Sequence, residues 1–144
     1  MLDIVTLTPE DRPQWETLFR GYCAFYKFPM PQEGYDRLWR EIISQGRIQA
    51  RGAKRDGVLL GIVQFLSHAN TWGKDVCYLE DLFTREDARG QGVARALIAA
   101  VEEWARAEGC GRVYWMTQET NATARRLYDK VAAYKGFIRY QIEL

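Results

Sequence analysis

Residues 80 to 97, "EDLFTREDARGQGVARAL", constrain the fold more than any other stretch. Two acids and an apolar run lead into a basic turn holding Gly90 and Gly92, and from Val93 an apolar helical period begins. Glycines between a strand and a helix let successive backbone N–H groups converge beside the positive end of the helix dipole. That point favours an anion such as a phosphate. A dinucleotide fingerprint would need glycine at the position of Arg95, and a phosphate-binding P-loop would need Gly-Lys-Ser/Thr, which the chain lacks.

The elements around this turn follow from periodicity and breakers. "DIVTL" reads as a first strand, and Thr8, Pro9 and Asp11 mark the start of a helix carrying Trp15, Leu18, Phe19, Tyr22 and Tyr26 at helical spacing. A second helix, "EGYDRLWREIISQG", follows Pro29 and Pro31. "RIQARGAKRDGVLLGIVQFLS" reads as a hairpin turning at Asp56-Gly57, "HANTWGK" as a loop and "DVCYLEDLFT" as a strand. Val93, Leu97, Val101 and Trp104 define a helix ending at Gly109, and "RVYWMT" is a strand. "NATARRLYDKVAAY" is a helix capped by Asn121, and "GFIRYQIEL" alternates as a half-buried final strand. The order is strand, two helices, three strands, helix, strand, helix, strand. It implies an α/β domain with a central mixed sheet, occupying residues 1–144 as one unit.

Composition narrows the function. At 144 residues with 47% apolar content there is material for a substantial core. Twenty Lys plus Arg against nineteen Asp plus Glu leave a formal charge of +1, so no nucleic-acid partner is implied. Cys23, Cys77 and Cys110 are widely spaced, and one histidine, His68, cannot form a cluster with them; neither a metal site nor a disulfide framework is expected. No basic leader and no long apolar run occur, so the reading is a soluble cytoplasmic protein without membrane association.

Arg89-Gly90-Gln91-Gly92-Val93-Ala94 resembles the Q/R-x-x-G-x-G/A pyrophosphate loop of the GCN5-related N-acetyltransferase (GNAT) family. Further on, Asn121-x-x-Ala124-x-x-Leu127-Tyr128 is similar to that family's second conserved helix. "CYLEDLF" and "LYDKVAAYKGFIRY" look closest to its yeast-type histone and polyamine acetyltransferases and their bacterial relatives. The resemblance implies a mostly antiparallel central sheet flanked by helices, and acetyl-CoA as cosubstrate. One departure is that seven residues separate Tyr128 from Gly136, about one helical turn more than in many relatives.

An alkylamine of pKa about 10.4 is nearly all ammonium at neutral pH, so acetyl transfer to nitrogen needs a group to remove a proton. Glu80 is favoured as that base or as the residue positioning a proton-carrying water, while Asp81 attracts a cationic amine; strand alternation sends them to opposite faces unless a bulge intervenes. By resemblance, Tyr128 protonates the leaving thiolate and Asn121 hydrogen-bonds the coenzyme or an ordered water. The resemblance further implies that the main chain of Leu82, Phe83 and Thr84 pairs with the pantetheine arm, that Arg89 reaches a phosphate, and that the amides from Gly90 through Gln91, Gly92 and Val93 to Ala94 hold the pyrophosphate. Tyr22, Tyr26, Trp72 and Tyr78 are candidates to line the acceptor pocket through their aromatic faces.

The expected activity is N-acetylation of a primary amine, in a polyamine, an amino compound or a lysine side chain, by direct attack in a ternary complex. The alternatives are a non-catalytic acyl-CoA-binding module and an enzyme that modifies a lysine of one protein partner. Relatives of this group associate through the C-terminal strand, which implies a homodimer or larger assembly.

Overall fold

A computed structural model describes residues 1–144. Its five strands form one sheet in chain order: β1 (Asp3–Val5), β2 (Gln49–Arg55), β3 (Val58–Asn70), β4 (Gly73–Thr84) and β5 (Val113–Tyr114). Neighbours are antiparallel except β4 and β5, which run parallel. Helices α1 (Arg12–Phe25) and α2 (Gln32–Ile43) precede β2, α3 (Val93–Ala107) joins β4 to β5, and α4 (Ala122–Val131) follows β5. The element order anticipated the α/β architecture with a central mixed sheet, and the family resemblance its mostly antiparallel pairing.

Strand alternation divides the apolar residues between two cores. Trp15, Phe19, Tyr35 and Trp39 of α1 and α2 pack with Leu59 and Ile62 of β3. Val93, Leu97 and Val101 of α3 pack with Val63, Phe65 and Leu79 on the other face. Gly61 lets the start of α3 come close to the sheet: a Cβ there would stand 2.6 Å from Val93 Cγ1. The start of α1 is tied to β2, since the Thr8 amide donates to Asp11 at 2.8 Å and Lys54 pairs with the same buried carboxylate at 2.5 Å.

Three local expectations change. Residues 68 to 74 are not a loop: β3 and β4 stay paired as far as Asn70 and Gly73, leaving only Thr71 and Trp72 as the turn. Backbone pairing needs no apolar face, so a polar hairpin tip can project beyond the core. Of "RVYWMT" only Val113 and Tyr114 pair, with Cys77 and Tyr78, and beyond them the two strands part. The expected strand from Gly136 to Leu144 carries no regular structure; Phe137, Ile138, Tyr140, Ile142 and Leu144 are all at least 71% exposed. Alternation supplies that segment with an apolar face, but it pairs with none of the five strands.

Candidate active site

The parting of β4 from β5 opens the edge of β4 at the point where its register changes. Gln64 pairs with Asp81 and Phe65 with Leu79, so Glu80 has no cross-strand partner and forms a β-bulge. Without the extra residue, Asp81 would follow Leu79 into the α3 core. The bulge instead turns Asp81 toward α1, leaves Glu80 exposed and brings both acids to the same part of the strand. The condition under which alternation would fail to separate them is therefore met.

Asp81 is partly buried and held by a chain of hydrogen bonds. Gln64 Nε2 donates to Asp81 Oδ2 at 2.7 Å, and Trp15 Nε1 donates to Gln64 Oε1 at 2.8 Å. Burial is the main force on the carboxyl and pushes its pKa up to about 6; the charge of Glu80 adds to this, while hydrogen bonds from Gln64 and Tyr22 oppose it. The single hydroxyl proton of Tyr22 is divided between Asp81 and the Glu80 carbonyl 3.5 Å away, and the pKa of Tyr22 is driven well above the ordinary phenol value by burial and then by Asp81.

The neighbouring aromatics form a wall. Tyr22 and Tyr26 lie with ring centroids 4.8 Å apart, and Tyr22 meets Phe83 edge-on at 6.5 Å. Tyr78 stacks on Tyr114 at 5.0 Å. Burial raises the pKa of both Tyr26 and Tyr78, and each also feels the charge of Asp81. Three of the four candidate acceptor-site aromatics thus gather around one carboxylate. Trp72 does not: it is 90% exposed at the β3–β4 turn, and Asp81 lies nine residue steps further along the strand, about 30 Å at 3.3 Å per residue.

From α4, Tyr128 packs edge-on against Trp115 with centroids 5.4 Å apart. Burial, followed by the charge of Tyr26, pushes its pKa up to about 12, so the phenol keeps its proton throughout the neutral range. Asn121 makes no side-chain cap; its Nδ2 donates to Thr117 Oγ1 at 3.2 Å and ties the chain leaving β5 to the start of α4. Thr117 also acts on the Tyr26 hydroxyl, which brings the end of α1 to the same junction.

At the other end of the open edge lies the glycine turn. Gly90 and Gly92 have φ of 77° and 82°, the left-handed region that glycine occupies without strain. The backbone N–H groups from Gly90 to Arg95 donate to no acceptor in the chain; the first amide of this region to do so is that of Ala96, to the Gly92 carbonyl at 3.0 Å. Val93 is buried in the α3 core and Ala94 is partly covered, which fixes the first turn of the helix behind these donors. Gln91 cannot wave freely: it accepts from Arg55 Nη1 at 2.7 Å and donates to the Asp87 carbonyl. Arg89 lies 5.8 Å over the Phe83 ring and is exposed beside the turn. Leu82, Phe83 and Thr84 pair with Val63, Ile62 and Gly61 along one edge, and the opposite edge of β4 has no strand beside it beyond Tyr78. A row of unpaired amides and a free strand edge fit a long diphosphate ester with an amide-bearing arm.

Two contributors escaped the sequence reading, Gln64 and Trp15. Gln64 is the lone polar residue inside the apolar run "VLLGIVQFL", and that was the available signal. Trp15 looks like ordinary core at helical spacing, and only its indole N–H distinguishes it. A cavity of about 510 Å³ elsewhere, lined in part by Ile42, Arg47, Arg51 and Trp104, includes none of these site residues.

A splayed β4–β5 edge, a cradle of free amides at a helix start, and a carboxylate and phenol nearby define a coenzyme A-dependent acyltransferase. Residues 15–134 match the model of the acetyltransferase (GNAT) family, and the chain belongs to that family. It is 33% identical to the D-amino-acid N-acetyltransferase HPA3 of Saccharomyces cerevisiae over 134 residues, covering 90% of this chain and 83% of that protein. It is 28% identical to the thialysine N-epsilon-acetyltransferase of Caenorhabditis elegans, covering 90% and 81%. The fold superposes on the aminoglycoside N-acetyltransferase AAC(6')-Iy in complex with CoA with a TM-score of 0.87, at 20% identity and over 99% and 95% of the two chains. The protein is an N-acetyltransferase that draws its acetyl group from acetyl-CoA. No helix is long and apolar enough to cross a membrane.

Proposed function

We propose that the protein, acting as one domain over residues 1–144, acetylates a primary amine of a small amino compound by direct attack in a ternary complex. The observation that carries this reading is the Asp81 carboxylate, ringed by Tyr22, Tyr26 and Tyr78 where β4 leaves β5. Acetyl-CoA supplies a thioester carbonyl. Asp81 is ionised at neutral pH and attracts an ammonium group, whose charge also favours the surrounding aromatic faces.

Moving a proton from an amine of pKa about 10.4 to a carboxyl of pKa about 6 is uphill by roughly 6 kcal/mol, so the proton must pass on rather than rest there. Glu80, exposed on the bulge next to Asp81, carries it to solvent water. Tyr128 holds a proton for the departing sulfur. The amides from Gly90 to Ala94 bind the diphosphate with Arg89 beside them, the main chain of Leu82, Phe83 and Thr84 aligns the pantetheine arm, and Asn121 steadies its thiol end.

The names of the relatives favour a small acceptor over a protein lysine, since they act on D-amino acids and on thialysine. Three free cysteines support a reducing, cytoplasmic setting. The exposed alternating residues from Phe137 to Leu144 support a homodimer built through the C-terminal segment. The test is free-thiol release from acetyl-CoA with a panel of polyamines, D-amino acids, aminoglycosides and a lysine peptide. Turnover with a small primary amine is expected; tight coenzyme binding without turnover on any amine would instead mark an acyl-CoA-binding module.

A further inference from the structure

We propose that Gln64 is a positioning residue of the acceptor site, oriented by Trp15 so that it can only donate to Asp81 and so keeps that carboxylate anionic and aimed at the amine. This rests on the reading of Asp81 as the group that receives the acceptor. Gln64 and Asp11 are the only buried residues of polar or charged type; Asp11 has a lysine partner, whereas both ends of the Gln64 amide lie on one chain of contacts.

The orientation of a glutamine amide is usually ambiguous, but here chemistry decides it. An indole N–H donates and never accepts, so the Gln64 oxygen must face Trp15 and its NH2 must face Asp81. Both anchors are rigid, with Trp15 fully buried and Gln64 only 1% exposed. A glutamine free to turn over could offer its carbonyl to a protonated carboxyl and stabilise the neutral acid. Trp15 forbids that arrangement.

The surroundings make this donor matter. The groups around Asp81 are Tyr22 and Cys23 from α1, Tyr26 just after it, and Tyr78 and Glu80 from its own strand; Arg20 acts on Cys23 and Arg139 on Tyr78, but no cation acts on Asp81 itself. Only the Gln64 NH2 and the Tyr22 hydroxyl support the anion against burial and against Glu80. The bulge completes the device, because it sets Asp81 directly opposite Gln64 across the β3–β4 ladder.

The test compares pH profiles of kcat/KM for the wild type, Gln64→Met and Trp15→Phe, with the Kd for CoA measured in parallel. In Gln64→Met the acidic limb should move up by about one pH unit, with Trp15→Phe shifting it the same way by less and CoA affinity unchanged in both. An unmoved acidic limb in both variants would overturn the proposal. So would loss of CoA binding in both, since the pair would then serve the fold rather than Asp81. Asp81→Asn separates the underlying reading: if that variant keeps full activity, Asp81 does not receive the amine; if it is inactive while Gln64→Met keeps the wild-type profile, only the role of Gln64 fails.

Discussion

Leu79 and Asp81 lie two residues apart on one strand yet face opposite sides of the sheet, because Glu80 is bulged between them. Regular pleating would have put both on the α3 side. The bulge thereby turns a residue that alternation assigns to a core into the carboxylate of a cleft.

This relationship separates the two acids experimentally. Asp81→Asn should lower kcat/KM for the best amine by about 100-fold or more, while Glu80→Gln, at an exposed position with water as a substitute carrier, should lower it by about 10-fold or less. Steady-state kinetics on both variants decides the order. A larger loss in Glu80→Gln would return the principal role to Glu80.

The same carboxylate should weaken the fold at neutral pH. Its pKa is raised to about 6 from the ordinary 3.8, so the folded state favours the protonated form, and that favour is lost as pH rises through about 6. Asp81→Asn should therefore be more stable than the wild type at pH 8, by on the order of 2 kcal/mol, and nearly equal to it at pH 3.5. Denaturant melts at the two pH values measure the gap.

Gly92 has φ of 82° and open space where a Cβ would stand, so the position tolerates a side chain sterically but not in conformation or charge. Gly92→Asp places a carboxylate among the free amides of the turn. The Kd for CoA by calorimetry should rise at least about 100-fold while the far-UV spectrum stays unchanged. Wild-type affinity would show that the diphosphate binds elsewhere.

Tyr128 keeps its proton because burial lifts its pKa to about 12. Tyr128→Phe preserves the edge-on packing on Trp115 and removes only the hydroxyl. The expected result is a kcat lowered by about 10- to 100-fold with unchanged CoA affinity. Undiminished kcat would remove the phenol from the reaction.

The C-terminal segment gives a prediction about assembly. Removing residues 134–144 deletes Phe137, Ile138, Tyr140, Ile142 and Leu144, each at least 71% exposed in the single chain. Sedimentation should show the 144-residue chain as a dimer and the truncated one as a monomer. A monomeric 144-residue chain would leave these side chains without a partner copy.

The features readable from sequence are those whose causes lie within a few residues. The glycine turn before α3, the Asp56-Gly57 hairpin with both residues at positive φ, the start of α1 near Thr8 and the helical stripe from Val93 to Val101 all depend on local φ/ψ preference and periodicity. Tyr22, Tyr26 and Tyr78 stand out as acceptor-site candidates by their aromatic residue type, and Tyr128 through the resemblance of its helix motif.

What remained was decided by pairings across the chain. The hydrogen bond from Trp15 to Gln64 spans 49 residues and that from Gln64 to Asp81 spans 17, and neither leaves a periodic trace. The bulge at Glu80 exists only relative to the register of β3, and the exposure of Trp72 and of Phe137 to Leu144 depends on which strand finds a partner. Local sequence determined the glycine turn with its unpaired amides and the candidate acids; tertiary packing chose which acid is desolvated, because the depth and neighbours of a carboxylate are properties of the assembled sheet and helices.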